Sequence, residues 1–359
     1  MKNDRCYIDI HVLQTVPPSC VNRDDTGSPK TAVYGGVTRA RVSSQAWKRA
    51  MRVAFREIFE QEKLGLRTKK VLARITDAML LQEPTLDVDS AEKKAIAALD
   101  TAGFSLNKAK ETDALFFVSY AQAKALAQLT LRGADKMEIK SAMKDNPSVD
   151  QILFGRMVAS DPSLNYDAAA QVAHSISTHA VQNEFDYFTA VDDCASMDNA
   201  GAGHIGTTEF NSATLYRYST VNVDELVPWL AGDTAAVVKG FLEAFCYSMP
   251  TGKQNSFANR TVPDFVYVAV RGDQPVNMAG AFEKPVHAGS DGYLKASEEA
   301  LASYAKQTYE MFVSPPRLSL GTGRSDVLSG FAEQMPLPAL IERIGEFVES
   351  RMAEGGDAE

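Results

Sequence analysis

Segments with strand periodicity stand on both sides of a long helical stretch, and this arrangement constrains the fold more than any other feature of the chain. Residues 6–14 alternate, with Ile8, Ile10 and Val12 on one face and Asp9 and His11 on the other, the pattern of a half-buried strand. Residues 214–223 alternate again, and residues 264–270 (DFVYVAV) read as a buried strand. Between them, residues 63–182 are rich in Ala, Lys and Gln and broken at Gly65, Pro84, Gly103, Gly133, Pro147 and Pro162, which reads as almost entirely helical. A sheet assembled from both ends of the chain around a helical insertion is an α+β sandwich. Further helices are expected from Ser43 or Ser44, over 233–247, and near 297–312 and 337–352, with a fraying acidic tail (EGGDAE).

Charge is the second constraint. The 359 residues carry a net charge of −9, yet residues 1–75 hold 15 Lys and Arg against 7 Asp and Glu, a local +8, and the remainder is −17. From Thr26 to Arg56 there are seven cations (Lys30, Arg39, Arg41, Lys48, Arg49, Arg52, Arg56) and no carboxylate. Residues 15–42 read as an unusually long connection, rich in turn signals, that runs into the helix. Ser43 is its expected N-cap, with Trp47, Met51, Phe55 and Ile58 on the buried stripe and Lys48, Arg52 and Arg56 along another face. A loop-to-helix junction with free N–H groups, hydroxyl and amide donors at Ser43, Ser44 and Gln45, and a Gly35-Gly36 pair that permits close approach is suited to anions. The acidic remainder would resist unspecific adhesion, so one local surface would meet a polyanion such as nucleic acid.

Other chemistries find little support. Gly201 to Gly206 matches G-x-G-x-x-G, but a polar loop precedes it and a β-patterned segment follows, which suits a mobile Gly-rich loop over 194–212 better than a dinucleotide site. Residues 250–257 (PTGKQNSF) lack the earlier Gly and the following Ser/Thr of a phosphate-binding loop, leaving a basic surface loop in which Lys253 could add a phosphate contact. His174 and His179 stand five apart in the helical stretch, on different faces, and without H-E-x-x-H they make no zinc site. The four cysteines have no C-x-x-C spacing and are expected as reduced thiols in a cytoplasmic protein. No run of 18 apolar residues is present. Asn22-Arg23-Asp24-Asp25 admits two readings: a carboxylate pair that binds Mg²⁺ and activates water, or, preferred here, an Asp-rich turn whose carboxylates cap N–H groups and orient Arg23.

At these residues the chain resembles a known family. Pro18-Ser19-Cys20-Val21-Asn22-Arg23-Asp24-Asp25 and the run from Gly35-Gly36 through Arg39, Arg41, Ser43-Ser44-Gln45 and Lys48-Arg49-Ala50-Met51-Arg52 are similar to the backbone (CasC, or Cse-type) subunit of the type I-E CRISPR Cascade. The likeness continues through Gly155-Arg156-Met157, H-S-I-S-T-H (174–179), D-Y-F-T-A-V-D-D (186–193), H-I-G-T-T-E-F (204–210) and N-M-A-G-A-F-E-K-P-V (277–286). The resemblance implies a modified RNA-recognition-motif (ferredoxin-like) palm over 1–62 and 224–359, helical fingers over 63–182, and a β-hairpin thumb with its base over 183–223. It implies a non-catalytic subunit whose copies stack along the CRISPR guide RNA and present its bases to target DNA. Its partners would be the large, small, 5′-handle and guide-processing subunits. The related type III kind, which cuts RNA, keeps Asp24 and Asp25 as the alternative. No cofactor or metal is implied. A subunit that coats any guide must read phosphate and sugar, not base identity. Arg23, Lys30, Arg41, Lys48, Arg49, Arg52 and Lys253 would supply charge, and Ser43 and Gln45 hydrogen bonds to backbone or 2′-hydroxyl groups. Met157 and Phe210 match family positions where apolar side chains wedge against a displaced nucleotide.

Overall fold

A computed structural model describes residues 5–158, 161–190, 193 and 204–356. Among these, the chain divides into two compact units: the first takes Met1–Met51, Val172–Asn222 and Phe241–Glu359, the second Arg52–Gln171 and Val223–Gly240.

The first unit is a large, mostly antiparallel sheet with helices. Its strands run in the order Glu333–Gln334, Leu318–Gly323, Phe265–Arg271, Tyr7–Ser19, His204–Asn222, Ser175–Ser177, Val37–Val42, Thr31–Tyr34. Only the first two of these pair in parallel. Tyr7–Ser19 is central: Ile8 faces Val270 on one side and Val221 on the other. The alternation of its sequence predicted one wet face, and the structure corrects this, because Asp9 and His11 are fully buried. Asp9 is tolerated there because its carboxylate is hydrogen-bonded, and His11 has one ring nitrogen bonded while its Nε2 is buried without a partner among the described residues. The Asp9 carboxylate accepts the Tyr218 hydroxyl (2.9 Å) and the Val276 N–H (2.8 Å). His11 Nδ1 meets the Tyr216 hydroxyl at 2.9 Å, and its ring lies among Tyr216, Tyr218 and Tyr267. Met278, Phe282 and Leu301 and Ala305 of the helix Leu294–Met311 close the core on this face. On the strand's opposite face, buried Arg217 lays its guanidinium 3.8 Å over the Trp47 ring and donates to Gln14 Oε1 (2.6 Å) and to the Phe245 carbonyl.

Residues 15–42 are not a long connection. The opening strand continues through a register break to Ser19, and Thr31–Tyr34 and Val37–Val42 form a hairpin closed by Gly35-Gly36, both at positive φ, as a two-residue primed turn requires. The close approach at Gly35 is to the chain itself, since a side chain there would overlap the Glu283 carbonyl. The helix Ser44–Ile58 follows as expected, as do Thr234–Tyr247, Phe265–Arg271, Leu294–Met311 and Leu337–Gly356.

The second unit is helical but not wholly so. Val71–Gln82, Val88–Ala102, Tyr120–Arg132, Lys136–Lys144 and Val149–Phe154 accompany a two-stranded sheet of Gly65–Thr68 and Phe116–Ser119. Its core gathers Leu72, Ile75, Met79, Leu99, Leu126 and Ile139. Capping boxes at Ser119 and Asp135 start two of the helices. The stretch carrying His174 and His179 is likewise not helical. Ser175–Ser177 is a short strand held between Val37–Val42 and His204–Asn222, so non-local pairing overrides local composition.

The long strand His204–Asn222 begins inside the segment expected to be a loop, and its first half pairs with Glu184–Ala190. Gly201–Gly203 and Cys194 lie outside the described residues, and Gly206 of the same motif is within the strand, where the Phe188 ring covers it. No helix among the described residues is long and apolar enough to cross a membrane.

Candidate nucleic-acid interface

The N-terminus of the basic helix is satisfied by the protein's own side chains. Ser43, buried, accepts the Ala46 N–H on its hydroxyl (3.3 Å), which makes it the N-cap. Asn22 Oδ1 accepts the Ser43 N–H (2.9 Å), and His174 Nδ1 accepts the Ser44 N–H (3.1 Å). Anion binding at this junction therefore falls to side chains more than to free backbone donors.

The seven cations of 26–56 have different fates. Arg39 is fully buried and donates to the carbonyls of Tyr34 (3.1 Å), Ser177 (3.0 Å), Phe282 (2.7 Å) and Glu283 (3.2 Å), tying hairpin, sheet and following loop together. Arg52, in the second unit, pairs with Asp150 at 2.9 Å and lies 4.5 Å over the Phe117 ring. These two arginines hold structure. Gln45, Arg49 and Arg56 are exposed on the helix, and Lys48 is half-buried, its ammonium pKa lowered by that burial.

The remaining cations gather from other segments of the first unit. Lys30 and Arg41 line a cleft with Asn22, Ser19 and Asn211 over an apolar floor that includes Val42. The Arg41 guanidinium donates to the Thr31 carbonyl (3.2 Å) and stands 3.4 Å from His174 Nδ1. Arg23 is exposed on the preceding turn. That turn is organised by Asp24, whose carboxylate accepts the Thr26 hydroxyl (2.7 Å) and the N–H groups of Thr26 and Ser28 (3.0 Å each). Led by the Thr26 hydroxyl, these bonds hold its carboxyl below the usual carboxylate range. Asp24 thus caps its own turn, as the preferred reading expects of it. Among the described residues no three His, Cys, Asp or Glu side chains come together as a metal set.

Lys253 is seated by Gly252, which packs so closely on the Cys20 and Val21 carbonyls that no side chain would fit. With φ of 44°, Lys253 directs its ammonium to the Thr208 hydroxyl (3.0 Å) at the base of the hairpin. Phe210, half-buried in that base, sits 5.8 Å from the Phe257 ring. Glu209 accepts from the Ser28 hydroxyl (2.9 Å) and from Asn183 (3.1 Å), which ties the hairpin to the Arg23 turn. Met157 belongs to the second unit and is 83% exposed, one of several large apolar side chains of this protein that face water.

Two residues of this surface escaped the sequence. Asn22 and His174 contact the start of the basic helix from 21 and 130 residues away, and the pairing of Ser175–Ser177 with Val37–Val42 is what brings His174 there. Burial first, then Arg41 and Lys30, lowers the His174 pKa, so its ring is neutral at pH 7.

The family described as CT1975-like protein matches residues 8–343. A chain of a solved "CRISPR RNA-guided surveillance complex, pre-nicking" is 34% identical, covers 95% of this chain and 100% of its own, and superposes with a TM-score of 0.86. A chain of a second "CRISPR RNA-guided surveillance complex" is 32% identical over 95% of this chain and 99% of its own, with a TM-score of 0.64. Comparison with curated proteins finds no match.

Proposed function

This chain belongs to the CT1975-like family, and from that membership and its basic surface we propose that it is a guide-RNA-binding backbone subunit of a Cascade-type surveillance complex. One observation carries the reading. Arg23, Lys30, Arg41, Arg49 and Lys253, drawn from four segments of the first unit, form no ion pair with any described carboxylate, although the protein is acidic overall. Cations kept unpaired on one unit of an acidic protein are poised for a polyanion.

The set suits a strand of any sequence. Arginine and lysine neutralise phosphates, and Gln45 offers hydrogen bonds without reading bases. Lys48 joins the charged set; Ser43 orients the helix, and Arg52 has its structural partner instead. The large sheet serves as the palm, the second unit as the fingers, and the hairpin of Glu184–Ala190 and His204–Asn222 as the thumb. Copies stack along the guide, with Met157 and Phe210 wedging beside displaced nucleotides in the sequence-tolerant manner of apolar stacking. The ordered strand then exposes its bases for pairing with target DNA. In this reading the subunit performs no chemistry of its own, and Asp24 Oδ1 serves to cap its own turn.

The test is to purify the protein after co-expression with a repeat–spacer transcript and the other subunits, then extract and sequence the bound nucleic acid. Uniform-length RNA carrying the spacer is expected. Random RNA, or none, would overturn the assignment.

A further inference from the structure

The H-S-I-S-T-H segment has so far no part in ligand binding, yet the structure sets its first histidine beside Arg41, one of the two cations of the cleft. His174 Nδ1 faces two obligate donors, the Ser44 N–H at 3.1 Å and the Arg41 guanidinium at 3.4 Å. An imidazole nitrogen so placed must accept, which puts the proton of the neutral ring on Nε2. The residue is exposed, and Nε2 has no hydrogen-bond partner among the described residues. A fixed N–H donor thus stands beside Arg41 without a charge of its own. The two cations already answer the phosphates. A neutral donor adds nothing to counter-ion release, and what it can offer is a hydrogen bond to a sugar hydroxyl.

We propose that His174 donates its Nε2–H to a ribose 2′-hydroxyl of the strand held by Lys30 and Arg41, making this surface prefer RNA to DNA. The proposal rests on the guide-RNA reading above.

Asparagine and glutamine separate the two ring nitrogens. In His174→Asn the amide oxygen takes the place of Nδ1 and still accepts the Ser44 N–H, but the outer donor is gone. In His174→Gln the amide nitrogen reaches the Nε2 position. The full chain and both variants would be titrated with short single-stranded RNA and with DNA of the same sequence, alongside a thermal melt. His174→Asn should lose about three- to tenfold in RNA affinity, the worth of one neutral hydrogen bond. Its DNA affinity, salt slope and melting temperature should not move, and His174→Gln should keep more of the RNA preference. Equal loss on RNA and DNA, or loss on neither, overturns the role. A wild-type chain that binds both strands equally well overturns it while leaving the backbone assignment intact. Binding to neither strand overturns both.

Discussion

Replacing Arg52 with alanine separates a structural arginine from a ligand-binding one on the same helix. Asp150, whose side chain is 3% exposed, accepts three donors: Arg52 Nε (2.9 Å), the Gly65 N–H (2.9 Å) and the Ser148 hydroxyl (2.8 Å). Removing one partner of a fully buried ion pair costs about 3–5 kcal/mol. The Arg52 side chain is 24% exposed, so water recovers part of that, and about 2 kcal/mol is the reasonable expectation. Loss of the cation over the Phe117 ring adds about 0.5–1 kcal/mol. At about 2–4 °C per kcal/mol, Arg52→Ala should melt about 5–12 °C below the parent. Its binding to single-stranded RNA should show an unchanged dependence on salt. Arg49→Ala should do the reverse, melting normally while the slope of log affinity against log salt flattens by about 0.7, the value of one phosphate contact. A melting scan and a salt series on both variants decide the matter. If Arg52→Ala flattened the slope and left melting unchanged, Arg52 would be a phosphate ligand and the role assigned to its pairing with Asp150 would fall.

Arg39→Lys should destabilise by more than about 3 kcal/mol in a denaturant titration, because an ammonium cannot span the four carbonyls that the guanidinium joins. Gly35→Ala, at φ of 59° and against the Glu283 carbonyl, should cost at least about 2 kcal/mol by the same measurement, whereas Gly27→Ala, with open space around it, should cost less. His179 accepts the Thr214 N–H on Nε2 (3.1 Å), and burial lowers its pKa. Its neutral form therefore contributes stability that is present above the unfolded value near 6.5 and lost as pH falls through it, by up to about 1.4 kcal/mol per pH unit. Buried His11, lowered to about 3, acts in the same direction. Asp9, raised to about 6 by burial, opposes them below that pH. Denaturation midpoints should accordingly fall between pH 7 and 6, less steeply in His179→Gln. Finally, the assembled protein should leave a complementary RNA intact in Mg²⁺ or Mn²⁺, and cleavage abolished by Asp24→Asn would revive the nuclease alternative.

Periodicity and capping are local signals, and they carried several elements correctly. The helix at Ser44 with its Ser43 cap, the strand Phe265–Arg271 and the C-terminal helices follow from periodicity and capping, which act over a few residues. The motifs around Arg23 and Ser43-Ser44-Gln45 led to the family that the comparisons show. Misreadings arose wherever the answer depended on distant partners. Residues 15–42 looked like a loop because the partners of the hairpin, Ser175–Ser177 and the Glu283 carbonyl, lie far along the chain. The Asp9/His11 face looked wet because nothing local announces three tyrosines from two other strands.

The same division runs through the cations. The sequence by itself determined that positive charge would be concentrated between residues 26 and 56 and that a helix would carry four of the seven cations. Only the tertiary structure decided which of those charges is available to a ligand. Arg39 finds carbonyls up to 244 residues away and Arg52 finds Asp150 98 residues away, while Arg41 finds a neutral histidine and lines a cleft. Composition fixes how much charge a segment holds. Whether that charge is matched within the protein depends on which buried carbonyls and carboxylates the sheet and helices bring within about 3 Å, the reach of a hydrogen bond.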